Sequence, residues 1–124
     1  MKYAIIGSRE FKDLNLVLTF LSENLATGRD AVITGGARGV DSIAKKWCKD
    51  NGVECLVIKP LNPGYKPSYL YRNIEIITMA DVVVAFWDGK SRGTKFVIDY
   101  CTGRTKYCEI IYSDGKRVRV LKWR

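Results

Sequence analysis

A glycine-rich stretch, Thr34–Asp41, has the residue types that bind phosphate groups. It lies between a short apolar run and a segment with helical spacing of its apolar residues. A strand that leads through glycines into a helix leaves backbone amides free at the positive end of the helix dipole, where they attract anions. Gly35, Gly36 and Gly39 would permit positive φ angles and a close approach of the ligand. Arg38 would add a bidentate donor, although a tight turn without any ligand explains the same glycines.

Three further stretches repeat this combination of glycine, small hydroxyl and arginine residues. Hydroxyl groups and backbone amides bind phosphate or ribose oxygens, and guanidinium groups neutralise negative charge. The candidate ligand-binding residues in these stretches are Gly7, Ser8, Arg9, Arg72, Asn73, Ser91, Gly93 and Thr94.

Single members of this set have other interpretations, which the sequence leaves open. Ser8 and Thr94 are also typical helix caps, and Arg72 is also typical of a solvated surface. Trp87 and Tyr65 are the candidates for stacking on a base. Trp87 fits core packing as well.

Alternating strand and helix patterns position these loops. Apolar runs predict strands at Lys2–Ile6, Ala31–Thr34, Glu54–Ile58, Asp81–Trp87, Tyr107–Tyr112 and Arg117–Trp123. The fourth is the most apolar, so we expect it to lie centrally with both faces covered. The Asp114-Gly115 pair indicates a hairpin, after which the last strand returns antiparallel as a charged edge.

Apolar residues at helical spacing predict four helices. The first helix is predicted to begin after an N-cap at Asp13 and to end at Gly28, and the second to run from Val40 to Gly52. The third is predicted to begin at Pro67, and the fourth to end at Gly103. In the third helix we expect Leu70, Ile74 and Ile77 to face the core.

This alternation predicts one α/β domain over residues 1–124. We expect a Rossmann-like three-layer sandwich with a mostly parallel five-stranded sheet and a C-terminal antiparallel edge strand. In such sheets, ligands bind beyond the carboxyl ends of the strands, where the strand order reverses. Four loops would lie there, and we therefore expect them to converge on one cleft. These loops are Gly7–Phe11, Thr34–Asp41, Pro60–Asn73 and Asp88–Thr94.

Composition narrows the chemistry further. The 124 residues include no histidine, and the four cysteines form no CxxC pair, so we expect no metal site and no Cys-His nucleophile. The cysteines fit small, buried, reduced residues of a cytoplasmic protein. No apolar run approaches the roughly 20 residues that span a bilayer, so no membrane association is expected.

The net charge of +8 is concentrated near the C-terminus, where residues 102–124 carry seven Lys/Arg against two Asp/Glu. A basic surface of this kind attracts polyanions such as nucleic acid. A solvated face without a partner is the alternative.

Four motifs, taken in chain order, resemble those of a known superfamily. They are Gly7-Ser8-Arg9, Thr34–Asp41, Tyr71-Arg72-Asn73 and Ser91–Thr94. They look like the Rossmann core of the DNA-processing protein A (Smf) family and of the wider SLOG superfamily. That superfamily includes the plant "lonely guy" cytokinin-activating phosphoribohydrolases. The nearest resemblance is to the small stand-alone YspA-like proteins of the family called DUF2493, and it extends to about residue 112.

This resemblance implies a pocket for a nucleotide or nucleotide-derived ligand, with no other cofactor implied. It would place phosphate or ribose at Ser8, Arg9, Gly36, Arg38, Arg72, Asn73, Gly93 and Thr94. Asp41 matches an acidic position of the family, where it would either contact ribose or cap the second helix. Because relatives often assemble, we also expect a homodimer or a higher homo-oligomer.

The resemblance to the phosphoribohydrolases is incomplete. Their motif has a glutamate three residues after a Gly-Thr pair, and that position is Val97 here. Cleavage of an N-glycosidic bond requires a carboxylate. Asp41 and Asp88 therefore remain the candidate catalytic residues, while Asp99 is expected to face away.

Three functional hypotheses result. The first is a binding module that senses or carries a nucleotide-like ligand, and the second is a nucleotide hydrolase of the phosphoribohydrolase type. The third is binding of single-stranded nucleic acid through the cleft and the basic C-terminus.

Overall fold

The structure, a computed structural model, describes residues 1–120, which form one sheet with helices on both faces. The strands are β1 (Lys2–Gly7), β2 (Ala31–Thr34), β3 (Glu54–Val57), β4 (Val82–Trp87), β5 (Cys108–Tyr112) and β6 (Arg117–Arg119). The helices are α1 (Leu14–Asn24), α2 (Val40–Asn51), α3 (Pro67–Met79) and α4 (Arg92–Gly103). None of these helices has both the length and the apolar character needed to cross a membrane.

The strand order is β3-β2-β1-β4-β5-β6. The first five strands are parallel and β6 is antiparallel to β5, which confirms the predicted fold class. The chain moves outward in one direction from β1 to β3 and in the other direction from β4 to β6. A crevice therefore opens beyond the carboxyl ends of β1 and β4, where the strand order reverses.

Strand β4 is buried on both faces, as its uninterrupted apolar sequence predicts. Val84 and Phe86 belong to the core cluster that packs against α1 and α2, while Val83 and Ala85 belong to the cluster that packs against α3 and α4. The Phe86 ring also meets the Phe11 ring edge-on, with centroids 5.6 Å apart. Both layers of helices are thus packed on the same central strand.

Local signals explain most helix ends. The Asp13 carboxylate caps α1, Pro67 is the first residue of α3, and Gly52 ends α2 in the left-handed region with φ 65°. The predicted stop of α1 at Gly28 is wrong, because the helix ends at Asn24. The Asp30 carboxylate accepts a hydrogen bond from the Ala26 amide, 2.9 Å away, and so holds the chain in a different turn.

The orientation of α3 also differs from the prediction. Leu70 is 40% exposed rather than buried, whereas Ser68 and Asn73 lie on the inner face. Hydrogen bonds stabilise these polar residues there, since the Ser68 hydroxyl accepts from the backbone amide of Asn62 and the side-chain Oδ1 of Asn73 accepts from Arg72 Nε. Strands β3, β4 and β5 are each one residue shorter than predicted, and β1 is one residue longer.

The C-terminal hairpin forms as predicted, with Gly115 at φ 87°. Strand β6 is short, and all three of its residues are exposed. It is held by an ion pair between Arg117 and Glu109, and the Arg117 guanidinium lies 5.6 Å from the centre of the Phe20 ring. The part of the predicted strand that reaches Trp123 lies outside the described residues.

Gly7, the last residue of β1, provides a test of the packing between β1 and α2. A methyl group on Gly7 would overlap the side chain of Val40, which is fully buried at the start of α2. We expect Gly7→Ala to lower the free energy of unfolding by about 1–3 kcal/mol, as measured by urea denaturation. In the double variant with Val40→Ala the loss should be smaller than the sum of the two single losses, and simple additivity would contradict the contact.

Candidate functional site

A cleft of about 1020 Å³ lies at the carboxyl ends of β2, β1, β4 and β5. Its lining includes residues from all four loops that the sequence predicts to converge. The lining residues are Ile6, Gly7, Arg9, Glu10, Lys12, Gly35, Ala37, Arg38, Asp41, Tyr69, Arg72, Asn73, Ile76, Asp88, Lys90, Ser91, Gly93, Thr94 and Ser113.

Most of the predicted ligand-binding residues line this cleft, but Ser8, Gly36 and Gly39 do not. Ser8 is only 1% exposed, because it joins the loops that follow β1 and β4. Its hydroxyl donates to Asp88 Oδ1 and accepts from the Asp88 amide, both at 3.2 Å, and lies 3.4 Å from the Thr94 hydroxyl. Ser8 is therefore a buried link between loops, and it caps no helix.

Asp88 organises the loop between β4 and α4. Its Oδ1 atom accepts hydrogen bonds from the amides of Lys90 and Ser91 as well as from Ser8. Burial alone would raise the pKa of Asp88, but these hydrogen bonds outweigh it and hold the pKa below its usual value. As a candidate catalytic residue, Asp88 is thus an ionised carboxylate whose Oδ1 is already occupied.

The N-terminus of α4 is open toward the cleft. Ser91 is its N-cap, and its hydroxyl is 3.5 Å from the Thr94 amide, so Thr94 is not the cap. Within residues 1–120, no acceptor pairs with the amides of Arg92 and Gly93. A methyl group on Gly93 would meet no atom within 4 Å, and the φ angle of Gly93 is not positive. Neither backbone conformation nor packing within the described chain explains a glycine at this place.

The Thr34–Asp41 loop differs from the open anion site that its glycines predict. Gly36 and Gly39 have positive φ angles, but two loop amides, those of Gly35 and Ala37, donate to Asp41 Oδ2 at 3.2 Å. The chain's own carboxylate therefore takes a position that a ligand anion would otherwise fill. Asp41 is not the N-cap of α2 either, because Gly39 is in that position.

Asp41 is buried with one oxygen unpaired. The residue is 4% exposed, and its Oδ1 has no hydrogen-bond partner among the described residues. Burial raises the pKa of Asp41 from its ordinary value of 3.8 to about 6, against the hydrogen bonds from Ala37 and Gly35 and the charge of Arg72, which lower it. Asp41 is therefore ionised at neutral pH at a cost to the fold.

Arg72 connects α3 to the loop after β2. Its Nη1 donates to the Gly35 carbonyl oxygen at 2.6 Å, and a methyl group on Gly35 would overlap this guanidinium. Arg72 is thus half-buried rather than part of a solvated surface. Arg38 differs, since its side chain is 77% exposed and its nearest acidic partner, Glu10, is 3.9 Å away. Arg9 is exposed at the same rim.

Neither predicted stacking residue lines the cleft. Trp87 donates from Nε1 to the Ser91 carbonyl oxygen and packs against the Tyr112 ring, while Tyr65 is 55% exposed outside the cleft. The aromatic residue that does line it is Tyr69, whose ring centre is 5.5 Å from the Arg72 guanidinium carbon. In the sequence, the contact between Tyr69 and Arg72 is indicated by their i,i+3 spacing on a helix.

Other lining residues were also missed by sequence reasoning. Lys12 and Lys90 add positive charge to the cleft, and Ser113 extends it beyond the end of β5. Each of them follows a strand, which is the only signal that the sequence offers for them. Val97 at the family's glutamate position is fully buried in the core, and Asp99 is exposed and paired with Lys95.

The raised pKa of Asp41 has a measurable effect on stability. Because the folded protein holds this proton more tightly than the unfolded chain, stability falls as pH rises from about 4 to about 6, by about 3 kcal/mol in total. Asp41→Asn should remove this cost. We expect the variant to be more stable than the wild type by about 1–3 kcal/mol at pH 8 and equal to it near pH 4. Denaturant titrations at several pH values would measure this.

The matched control for that experiment is Asp99→Asn, which removes an exposed carboxylate. Its stability difference from the wild type should be small throughout the same pH range. If the Asp41→Asn variant instead lost stability relative to the wild type as pH rose, the assignment of a buried, costly carboxylate would be wrong.

A family model described as the YspA, cpYpsA-related SLOG family matches residues 1–62. The Gene 61 protein of Mycobacterium phage D29 is 36% identical over 100 residues, which cover 73% of this chain and 80% of the phage protein.

Two solved structures share the fold. DNA processing protein A from Helicobacter pylori, described for its single-stranded DNA binding mode, has a TM-score of 0.68 and 22% identity, covering 90% of this chain and 65% of that one. DNA processing protein A from Streptococcus pneumoniae has a TM-score of 0.68 and 17% identity, covering 90% of this chain and 49% of that one. The chain thus spans less than two thirds of either structure, and at these identities the likeness establishes the fold alone.

Proposed function

The chain belongs to the YspA, cpYpsA-related SLOG family, and from this membership together with the cleft we propose that it binds a phosphate-bearing, nucleotide-like small molecule. The observation that carries the proposal is the N-terminus of α4. There, the amides of Arg92 and Gly93, which pair with no acceptor within residues 1–120, adjoin a cleft flanked by Arg9, Arg38 and Lys90. Free amides at a helix N-terminus are suited to a phosphate group.

The remaining surfaces of the cleft suit the rest of a nucleotide. Ile6, which is 7% exposed, adds a little apolar surface, and Tyr69 offers an aromatic ring backed by Arg72. Most of the lining is polar or charged, which suits the phosphate and sugar groups of a nucleotide, and the volume is near the upper end of the usual range for small-molecule sites. The ligand would therefore extend from α4, where its phosphate binds, toward α3, where a base would stack.

We propose binding rather than hydrolysis as the principal activity. In the cleft, Asp88 Oδ1 already accepts three hydrogen bonds and Asp41 Oδ2 accepts two. Each carboxylate is thus held by the protein's own donors, and the position of the phosphoribohydrolase glutamate, which supplies the carboxylate for N-glycosidic cleavage, is taken by the fully buried Val97. Release of free base from a nucleoside monophosphate, abolished by Asp41→Asn, would contradict this and support the hydrolase hypothesis.

Gly93 provides the sharpest test of the phosphate position. Gly93→Ala should raise the free energy of unfolding by about 0.5–1 kcal/mol, because alanine is the better helix former and meets open space. The same methyl group would stand where the phosphate approaches, so affinity should fall roughly tenfold or more. Calorimetry with nucleoside mono- and diphosphates, ADP-ribose and ribose 5-phosphate would measure binding.

Gly103→Ala is the matched control, since Gly103 lies in the same helix, away from the cleft, and its added methyl group also meets nothing within 4 Å. It should leave affinity unchanged. If none of the compounds binds the wild type, the proposal fails. If a compound binds equally well to both alanine variants, the ligand is not held at the N-terminus of α4.

A second candidate function is binding of single-stranded nucleic acid along the same cleft. The observation that favours it is the row of basic side chains, Arg9, Lys12, Arg38 and Lys90, that border an open groove. The H. pylori structural neighbour is described for single-stranded DNA binding. Such binding should weaken steeply with salt, with a slope of about 0.7 per neutralised phosphate in a plot of log affinity against log salt. An oligothymidylate titration that shows no salt dependence would exclude it.

A further inference from the structure

The four cysteines form two pairs at equivalent places in the fold. Cys48 in α2 and Cys55 in β3 are seven residues apart, as are Cys101 in α4 and Cys108 in β5. All four are free thiols, and within each pair the two thiols lie close enough for each to shift the pKa of the other. Each pair thus joins the last turn of a helix to the strand that follows it.

The two pairs differ in access to solvent. Cys101 and Cys108 are fully buried in the core cluster that packs against α3 and α4. Cys48 is 2% exposed, but its partner Cys55 is only partly buried and lies on β3, the edge strand of the sheet. The first pair therefore includes a residue that is partly open to solvent, whereas the second pair includes none.

The surroundings of Cys55 favour its thiolate. Interaction with the Cys48 thiol lowers the pKa of Cys55, burial opposes this, the positive charge of Lys45 lowers the pKa further, and the negative charge of Asp41 raises it. The same interaction raises the pKa of Cys48, so Cys55 is the thiol of this pair that loses its proton more readily. A thiolate that is partly exposed and next to a second thiol has the features of a site for thiol–disulfide exchange.

We propose that Cys55 is a modification site that reacts with low-molecular-weight disulfides, and that Cys48 is the resolving thiol that completes an intramolecular disulfide. In the first step the Cys55 thiolate attacks one sulfur of the small disulfide. A bond forms between Cys55 and that sulfur, the disulfide bond of the reagent breaks, and one small thiolate leaves.

In the second step Cys48 attacks the Cys55 sulfur and expels the other half of the reagent as a thiolate. Once Cys55 is in the mixed disulfide, its charge no longer holds the proton on Cys48. Overall, the two cysteines are oxidised to one disulfide and the reagent is reduced to two small thiols, which take up the two protons that the cysteines lose. Because Cys48 is buried, this step proceeds through local opening of the last turn of α2.

The experiment uses the intact chain and oxidised glutathione under native conditions. Samples are quenched at intervals in denaturant with iodoacetamide, and the cysteine peptides are mapped by mass spectrometry. We expect a cross-linked Cys48–Cys55 peptide in the wild type. In Cys48→Ser the reaction should stop at one glutathionyl group on Cys55, and in Cys55→Ser neither product should form.

The Cys101–Cys108 pair is the internal control, since it has the same spacing and place in the fold without exposure. It should stay reduced and fully alkylated while the first pair reacts. The proposal is overturned if Cys55 in the Cys48→Ser variant gains no glutathionyl group, or if both pairs react at the same rate, which would report unfolding of the whole chain.

Discussion

The hydrogen bonds between Ser8 and Asp88 hold the candidate site together. These residues follow β1 and β4, the adjacent strands at which the strand order reverses, so their loops would otherwise diverge toward opposite faces of the sheet. Asp88 also binds the amides of Lys90 and Ser91, and this puts Ser91 at the N-cap of α4. One buried hydroxyl and one carboxylate thereby determine where a helix N-terminus meets the cleft.

Much of the fold follows from patterns that the sequence displays directly. The apolar run of β4 requires burial on both faces, and the alternation of strands and helices requires parallel pairing with the loops on one edge. The errors arose where hydrogen bonds of nearby polar side chains override the signal of single residues. Asp30 turns the chain before Gly28 is reached, and Ser68 and Asn73, whose side chains accept hydrogen bonds, occupy the inner face of α3 while Leu70 faces outward.

The site was predictable as a meeting of loops but not as a set of free donors. The residue types in Thr34–Asp41 indicate an anion site, yet whether its amides are free depends on where the Asp41 carboxylate lies. Ser8 and Arg72 likewise use their donors inside the protein. Gly93 is explained neither by its backbone conformation nor by packing within the described residues, and burial of the Asp41 carboxylate lowers stability even though its Oδ2 binds two loop amides. Residues that weaken a fold in this way are concentrated at functional sites. The expected homo-oligomer stays a prediction.

The short C-terminal edge strand has a consequence for how copies of this domain meet. An unpaired edge can accept a strand from another molecule, and β6 is such an edge. If the β6 strands of two copies paired side by side, Arg117 and Arg119 of one copy would face the same two arginines of the other. Val118 is the one residue of this three-residue strand that carries no charge. Electrostatic repulsion therefore disfavours continuation of the sheet from one copy into the next through β6, and it protects this margin of the domain against ordered aggregation.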